Sequence, residues 1–293
     1  MRIGVVFPQT EIGGDVGAVR AYAMGVEGLG YTHLLAYDHV LGADPAVHEG
    51  WAGPYDIDTT FHEPFVLFAY LAAITKLELV SGVIILPQRQ TALVAKQAAE
   101  VDILSEGRFR LGIGIGWNTV EYEALDKSFN DRGARSAEQV ELLRRLFTER
   151  SVTFEGRWER VTGAGIAPLP VQRPIPIWFG GATPPALRRA GRLADGWFPM
   201  VPPGPRLDEA LALVEEGARE AGRDPATIGM EGRVTWTPEG GLDMVLDHVE
   251  RWRRTTATHL EINTMGAGFA TVDDHLAALA TVAEAVGVQS SAG

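Results

Sequence analysis

The feature that most constrains the fold is an alternation that runs through the whole chain. Short runs of apolar and β-branched residues, each of strand length, alternate with longer segments whose apolar residues recur at helical spacing. Eight such pairs follow one another in strict order. Strands joined by helices pair in parallel, because each helix carries the chain back to the same end of the sheet. The alternation therefore predicts a parallel sheet covered by helices.

The predicted elements have clear bounds. The strands are Arg2–Pro8, Thr32–Asp38, Leu77–Leu86, Arg108–Gly116, Ile175–Phe179, Gly196–Met200, Ile228–Thr235 and Leu260–Asn263. The helices lie near Val16–Leu29, Pro64–Thr75, Ala92–Leu104, Ala134–Phe147, Pro184–Leu193, Leu207–Ala221, Gly241–Thr255 and Val272–Ala285. Two helix starts have local signals. Thr183 precedes a first-turn proline, and Thr271 with Asp274 has the spacing of a capping box.

Eight is the number of strands at which such a sheet closes, so we expect a (β/α)8 TIM barrel that forms one domain over residues 1–293. The alternative is an open doubly wound sheet, which carries a glycine fingerprint after its first strand. Here the first strand ends in Phe7-Pro8-Gln9, which favours the barrel. Two long connections, His39–His62 and Trp117–Pro174, predict insertions after the second and fourth strands. The tail Val288–Gly293 is small and polar, and we expect it to be frayed.

Composition excludes several classes of function. The net charge is -12, and such a surface repels the phosphates of nucleic acids and anionic lipids, so we expect neither partner. The longest nearly uncharged stretch, Phe65–Thr75, is too short to span a bilayer. The chain has no cysteine, which excludes disulfides, zinc–thiolate sites and a thiol nucleophile. Together with an N-terminus that resembles a strand and not a targeting signal, this composition favours a cytoplasmic protein.

Asp38-His39 is the first candidate for chemistry, because it ends the second strand, where TIM barrels place their active sites. A histidine exchanges protons near neutral pH, and an adjacent carboxylate can raise its basicity or fix its surroundings. The alternative is that His39 only bonds a backbone carbonyl at the strand end.

Alternating glycines mark the end of the fourth strand. Gly112, Gly114 and Gly116 point to one face, and glycines within a strand accompany a close approach to the backbone. A flat ring at the barrel mouth would fit this pattern, as would tight packing against a bulky neighbour. Trp117 and Asn118 follow directly.

After the fifth strand, Gly180, Gly181, Ala182 and Thr183 lead into a helix that begins with a proline. Free N–H groups and the helix dipole favour a phosphate there, although an ordinary strand-to-helix turn explains the same residues.

The remaining candidates are weaker. Four aromatic side chains, of Trp51, Tyr55, Trp117 and Trp197, could line an apolar pocket, and each of them could equally be packing. The histidines are scattered without H-x-H or H-E-x-x-H spacing, so we predict no metal site. A metal-dependent barrel hydrolase would instead require a bound divalent ion. The serine nucleophile motif G-x-S-x-G is absent from the chain.

Two stretches together resemble the bacterial luciferase-like superfamily of flavin-dependent enzymes, the luciferase-like monooxygenases. Residues 82–122 contain a proline turn, a lysine-bearing helix, D-x-L-S-x-G-R and L-G-x-G-x-G. Residues 174–197 (PIPIWFGGATPPALRRAGRLADGW) are similar to a second family signature. The resemblance covers most of the chain and is nearest to the branch that uses the deazaflavin coenzyme F-420.

The resemblance implies a role for each candidate. His39, beside Asp38, falls where the family places its catalytic histidine. Val83 and Ile84 fall near a non-proline cis peptide that forms a bulge behind the coenzyme ring. The other residues implied to bind the ring, its side chain and the phosphate are Gly114, Gly116, Trp117, Asn118, Gly180, Gly181, Ala182 and Thr183. Trp51, Tyr55 and Trp197 are then the expected substrate pocket.

The function implied is hydride transfer between coenzyme F-420 and a small organic substrate. A monooxygenase that uses reduced flavin mononucleotide (FMN) and dioxygen is the main alternative, and a non-catalytic flavin-binding protein is the second. Trp117 stands where sugar-phosphate dehydrogenases of the family carry an acidic proton donor, and Ile115 stands where luciferases carry an arginine for the flavin phosphate. The resemblance also implies a homodimer built on the helices after the second and third strands.

Overall fold

Eight parallel strands close into a barrel in the computed structural model, which describes residues 1–289. The strands are β1 (Arg2–Val6), β2 (His33–Ala36), β3 (Glu78–Ser81), β4 (Ile84–Ile85), β5 (Phe109–Gly114), β6 (Val152–Glu155), β7 (Arg160–Ala164), β8 (Ile177–Gly180), β9 (Gly196–Phe198), β10 (Gly229–Thr235) and β11 (His259–Asn263). The barrel follows the order β1, β2, β3, β5, β8, β9, β10, β11, and β11 pairs with β1 to close it. The predicted TIM barrel is confirmed.

Helices surround this barrel on the outside. They are α1 (Gln9–Ile12), α2 (Val16–Gly28), α3 (Pro64–Ala72), α4 (Thr91–Leu104), α5 (Thr119–Ala124), α6 (Arg132–Thr148), α7 (Pro184–Leu193), α8 (Pro205–Glu220), α9 (Gly241–Arg253) and α10 (Val272–Val286). The capping box at Thr271 and Asp274 is confirmed, and it starts α10. No helix within residues 1–289 combines the length and apolar composition needed to cross a membrane.

The third predicted strand, Leu77–Leu86, is interrupted. β3 ends at Ser81, the peptide bond between Gly82 and Val83 is cis, and β4 then adds two residues beside β5. At Gly82 the backbone packs closely against the neighbouring strand β2, because a Cβ there would lie 2.3 Å from the Leu35 side chain. An apolar run alone does not reveal such a break.

The insertion after the fourth barrel strand holds more structure than predicted. The strand expected at Val152–Arg157 is β6, and β7 pairs with it in an antiparallel hairpin. No strand was predicted at β7, because four of its five residues are exposed and their burial does not alternate. The six-residue helix α5 was also missed, because it is too short to show a helical period.

The first residue of the C-terminal tail, Val288, contacts the rest of the protein. The Val288 N–H donates to the Ala283 carbonyl at 2.9 Å, and the Val288 side chain packs against the core. Val288 thus contacts the rest of the protein, and the fraying of the tail stays a prediction. Residues 290–293 lie outside the described part of the chain.

The barrel interior is layered. Charged groups fill the end at which the strands begin, and an apolar layer lies above them, formed by Val6, Leu35, Val80, Trp178 and Phe198. In the charged layer, Arg110 Nη1 lies 2.5 Å from Glu231 Oε2, and His33 Nε2 lies 2.6 Å from Glu231 Oε1. Burial opposes ionisation of Glu231, but Arg110 and His33 outweigh it and lower the pKa of this carboxyl to about 2. The carboxylate therefore stays charged at neutral pH.

We expect Glu231→Gln to lower the free energy of unfolding by about 3 kcal/mol at pH 7, because it removes the fully buried carboxylate that pairs with Arg110 and leaves only the partly exposed Glu78 to balance that charge. Since the pKa of Glu231 falls from 4.5 to about 2 on folding, its contribution is present above pH 4.5 and is lost as the pH falls towards 2. The difference between variant and parent should shrink over that range in urea unfolding. Exposed Glu220→Gln is the control, and an equal loss in both variants would contradict the assignment.

Candidate active site

His39 follows β2 at the mouth of the barrel, inside a cluster of aromatic rings. Its ring centroid lies 4.7 Å from that of Phe61, 5.0 Å from that of Tyr55 and 5.6 Å from that of Trp117. The side chain is only 12% exposed. His39, Tyr55, Phe61 and Asn118 line a cavity of about 300 Å³. The histidine is thus held at the edge of a space that is large enough for a small molecule.

The carboxylate that contacts His39 is Glu121 of α5. Its Oε1 lies 3.1 Å from His39 Nδ1 and accepts the N–H groups of Val40 at 2.9 Å and Leu41 at 3.3 Å. Its Oε2 accepts from Gln88 Nε2 at 3.2 Å. Burial opposes ionisation of Glu121, but the bonds from His39, Gln88 and Leu41 outweigh it and lower the pKa. Glu121 therefore fixes both the ring and the backbone after β2.

Asp38 does not act as the partner of His39, and this corrects the sequence interpretation. Its two oxygens both accept from Arg89 Nη2 at 2.9 Å, and one accepts the Ile85 N–H at 3.3 Å. Burial raises the pKa of Asp38, and Arg89 offsets part of that rise. Neighbours in an extended chain point to opposite sides, so Asp38 faces the protein while His39 faces the cavity. Asp38 thereby holds the segment that follows Val83.

Val83 sits between two of the predicted glycines. A Cβ on Gly114 would lie 2.5 Å from the Val83 side chain, and one on Gly180 would lie 3.1 Å from it. Gly116, at φ 65°, would place a Cβ 2.8 Å from Ile85. The glycines thus make room for Val83 at the mouth, where its partly exposed side chain can support a flat ring. The close packing that the glycine pattern allowed is therefore present.

The expected phosphate site is built differently from the prediction. Thr183 is the N-cap residue of α7, but its side chain makes no capping bond. Pro184 and Pro185 have no N–H, so the first turn of the helix offers few donors. Within residues 1–289, the N–H groups of Gly181, Ala182 and Thr183 donate to no protein acceptor. These exposed loop donors, at the positive end of the helix dipole, fit a phosphate.

The aromatic residues divide between two places. Trp51 and Trp117 lie 5.7 Å apart and line a groove outside His39, and Trp51 Nε1 donates to the Tyr55 carbonyl at 3.0 Å. Trp197 is 1% exposed and borders a separate cavity of about 240 Å³ beside Gly181 and Ala182. The structure therefore brings Trp51, Tyr55 and Trp117 together with His39, and places Trp197 near the loop that holds Gly181 and Ala182.

Sequence reasoning missed Glu121, Arg89 and Gln88. Glu121 stands three residues after Asn118, whose side chain caps α5 by accepting the Val120 and Glu121 N–H groups. The spacing Asn-x-x-Glu was a usable signal for this helix start. Arg89 and Gln88 had no such signal beyond their place after the third strand. Among residues 1–289, no three acidic or histidine side chains are grouped so that they could hold a metal ion.

Comparisons with known proteins show the family of this chain. The luciferase-like monooxygenase family matches residues 1–239. An uncharacterised protein of Mycobacterium tuberculosis is 40% identical over 164 residues, which are 56% of this chain and 56% of that protein. An F420-dependent glucose-6-phosphate dehydrogenase of Nocardia farcinica is 31% identical over 208 residues, which are 67% of this chain and 61% of that enzyme. The chain thus spans little more than half the length of these curated relatives.

A solved structure has the same fold. An F420-dependent secondary alcohol dehydrogenase, in complex with an F420-acetone adduct, matches with a TM-score of 0.78 at 16% identity, over 98% of this chain and 99% of that chain. The family match covers residues 1–239, and these include all the residues of the candidate site described above. The chain therefore belongs to the luciferase-like monooxygenase family.

We expect Glu121→Ala to lower the free energy of unfolding by about 2–3 kcal/mol, because the buried Gln88 amide and the partly buried N–H groups of Val40 and Leu41 lose their acceptor. Glu121→Gln keeps an acceptor oxygen and should cost less than about 1.5 kcal/mol. Urea unfolding at neutral pH measures both. Exposed Glu123→Ala, on the same helix, is the control. Equal stability of Glu121→Ala and the parent would show that this carboxylate does not hold the loop.

Proposed function

We propose that this protein is an oxidoreductase that transfers a hydride between coenzyme F-420 and a small organic substrate. The observation that carries the proposal is the position of Val83, which lies between Gly114 and Gly180 at the barrel mouth. The F420-dependent dehydrogenase of Nocardia farcinica, at 31% identity, supports the choice of coenzyme. Gly181, Ala182 and Thr183 supply the donors that its phosphate requires.

When bound, the coenzyme supplies the hydride chemistry, and the protein supplies orientation and proton transfer. Val83 supports one face of the ring, so that the other face is left for substrate. Glu121 holds Nδ1 of His39, which leaves Nε2 as the atom that gives or takes the proton. Asp38 keeps Ile85 in place through its backbone bond and so positions the support of the ring.

The loop of residues 44–60, which carries Trp51, and the Trp117 side chain exclude water from the cavity. The Trp51 ring lies next to the Trp117 ring, and the Trp117 ring contacts that of His39. Trp117 is 41% exposed, so it covers the cavity from the solvent side. A reaction under this cover is shielded from competing proton exchange with water.

A monooxygenase that uses FMN is the second candidate, and the description of the matching family favours it. An ordinary flavin reacts with dioxygen when reduced, whereas a deazaflavin does not, so oxygen consumption separates the two. A non-catalytic flavin-binding protein is less well supported, because His39 and Glu121 form a complete proton-transfer pair.

The decisive experiment is a titration of the purified protein with coenzyme F-420 and with FMN, followed by fluorescence. We expect micromolar or tighter binding of the deazaflavin and much weaker binding of FMN. Preference for FMN would replace the proposal with the monooxygenase, and oxygen consumption would then test that function. Binding of neither would contradict the proposed coenzyme site.

We expect His39→Asn to reduce turnover by roughly 10²- to 10⁴-fold while coenzyme affinity stays the same, because the histidine moves a proton and does not hold the ring. Turnover is followed as the change in deazaflavin absorbance, with an alcohol or hydroxy acid found by screening. His248→Asn on α9, outside the barrel, is the control. An equal loss of turnover and coenzyme affinity in His39→Asn would remove His39 from the catalytic role.

The predicted homodimer belongs to this proposal. The outward faces of α3 and α4, the helices after the second and third barrel strands, expose Val66 at 69%, Tyr70 at 38% and Leu93 at 52%. Apolar side chains in this number on neighbouring helices support a contact with a second copy. The cytoplasmic location expected from the sequence stays a prediction.

A further inference from the structure

The mouth of the barrel has two halves with different chemistry. The proposed coenzyme half lies at β3, β5 and β8, where Val83 packs against Gly114 and Gly180. In the order of the barrel strands, the arc opposite is formed by β10, β11 and β1. Arg233 on β10 and Asn263 on β11 are the inward-facing polar side chains of that arc that lie beyond the buried carboxylates Glu231 and Glu261 or beside them.

Arg233 is a cation inside the barrel, and the terminal nitrogens of its guanidinium are open to a ligand. Its Nε donates to Glu261, which lies directly across from it on β11 and is 2% exposed. The guanidinium carbon lies 5.2 Å from the centre of the Tyr37 ring. The Arg233 side chain is 32% exposed, and within residues 1–289 neither terminal nitrogen has a hydrogen-bond partner. Glu261 and Tyr37 thus orient the arginine and leave its two Nη groups to a ligand.

Asn263 adds a second donor. Its Oδ1 accepts the Met265 N–H at 3.0 Å, which fixes the amide so that Nδ2 points away from the backbone. Among the described residues, Nδ2 has no acceptor. Asn263 lies two residues beyond Glu261 on the same face of β11, so its amide stands one step nearer the mouth. Arg233 and Asn263 therefore both offer N–H donors that a ligand can use.

Arg233 lies on the side of the mouth that faces the proposed reaction centre. Its guanidinium contacts Tyr37, which stands two residues before His39 in the chain. Burial raises the pKa of Tyr55, and the charge of Arg233 offsets part of that rise. The Tyr55 ring in turn contacts His39. Another carboxylate that acts on Tyr55, Glu11, already accepts the Gly266 N–H at 2.7 Å and the Thr10 hydroxyl at 2.7 Å. Its oxygens therefore do not bind Arg233.

We propose that Arg233 and Asn263 are the substrate-recognition residues, and that they select substrates that carry a carboxylate. A guanidinium presents two parallel N–H groups that match the two oxygens of a carboxylate, and an amide N–H can bond one of them further. In a protein of net charge -12, an anion enters the mouth only where such donors repay the repulsion. This inference rests on the proposed location of the coenzyme at β3, β5 and β8.

The test uses the protein loaded with whichever coenzyme it binds, and two probes of the same shape, benzoate and benzamide. Binding is followed through the absorbance of the bound coenzyme. We expect the parent protein to prefer benzoate, and Arg233→Gln to weaken benzoate binding roughly 10- to 100-fold, as expected for a charged hydrogen bond. Benzamide and coenzyme affinities should stay the same.

Arg233→Gln leaves Glu261 buried without its partner, so Arg233→Gln/Glu261→Gln, which keeps the interior neutral, is the second variant. Arg254→Gln, which removes an exposed arginine just after α9, is the matched control for lost charge. Equal binding of the two probes by the parent, or unchanged benzoate binding in both Arg233 variants, would overturn the inference. So would a loss of coenzyme affinity as large as that for benzoate. A parent that prefers FMN would instead overturn only the proposed coenzyme.

Discussion

The ion pair between Arg110 and Glu231 crosses the interior of the barrel from its fourth strand to its seventh. A charge of each sign placed inside the ring of strands requires its partner, because neither can be solvated there. His33 adds a bond from the second strand, and the Arg110 guanidinium lies 4.3 Å from the Trp178 ring on the fifth. Four strands are thereby held at the end where they begin. Within residues 1–289, the mouth at the opposite end of the barrel carries no such ion pair between its glycines, and a ligand can bind there.

The order of elements was predictable from the sequence because hydrophobic period and chain length both point to the same fold. All eight barrel strands overlap their predicted ranges, and α7 has its predicted bounds. The break at Gly82-Val83 was not predictable from periodicity, since the apolar run continues through it. The hairpin strand β7 was not predictable because four of its five residues are exposed and their burial does not alternate. In both cases tertiary contacts decide the outcome, and local pattern does not contain them.

In the candidate site, too, local pattern predicted some residues and tertiary contacts decided the others. Position at a strand end located His39, and glycine spacing located the residues around Val83. The partner of His39 was misassigned, because Asp38 is adjacent in sequence but points the other way. Glu121 lies 82 residues further along and reaches His39 only through the closure of the barrel. The proline pair after Thr183 shows another limit, since the donors there belong to the loop and not to the helix.

Glu121 also limits how the insertion after the fourth barrel strand can change in length. The carboxylate reaches the backbone after β2 from a helix that starts five residues beyond β5. One residue added or lost within α5 before Glu121 would turn the carboxylate by about 100° around the helix axis and away from His39. The segment beyond α5, by contrast, places no residue against His39 within the described chain. Variation in length among related chains should therefore begin only after α5.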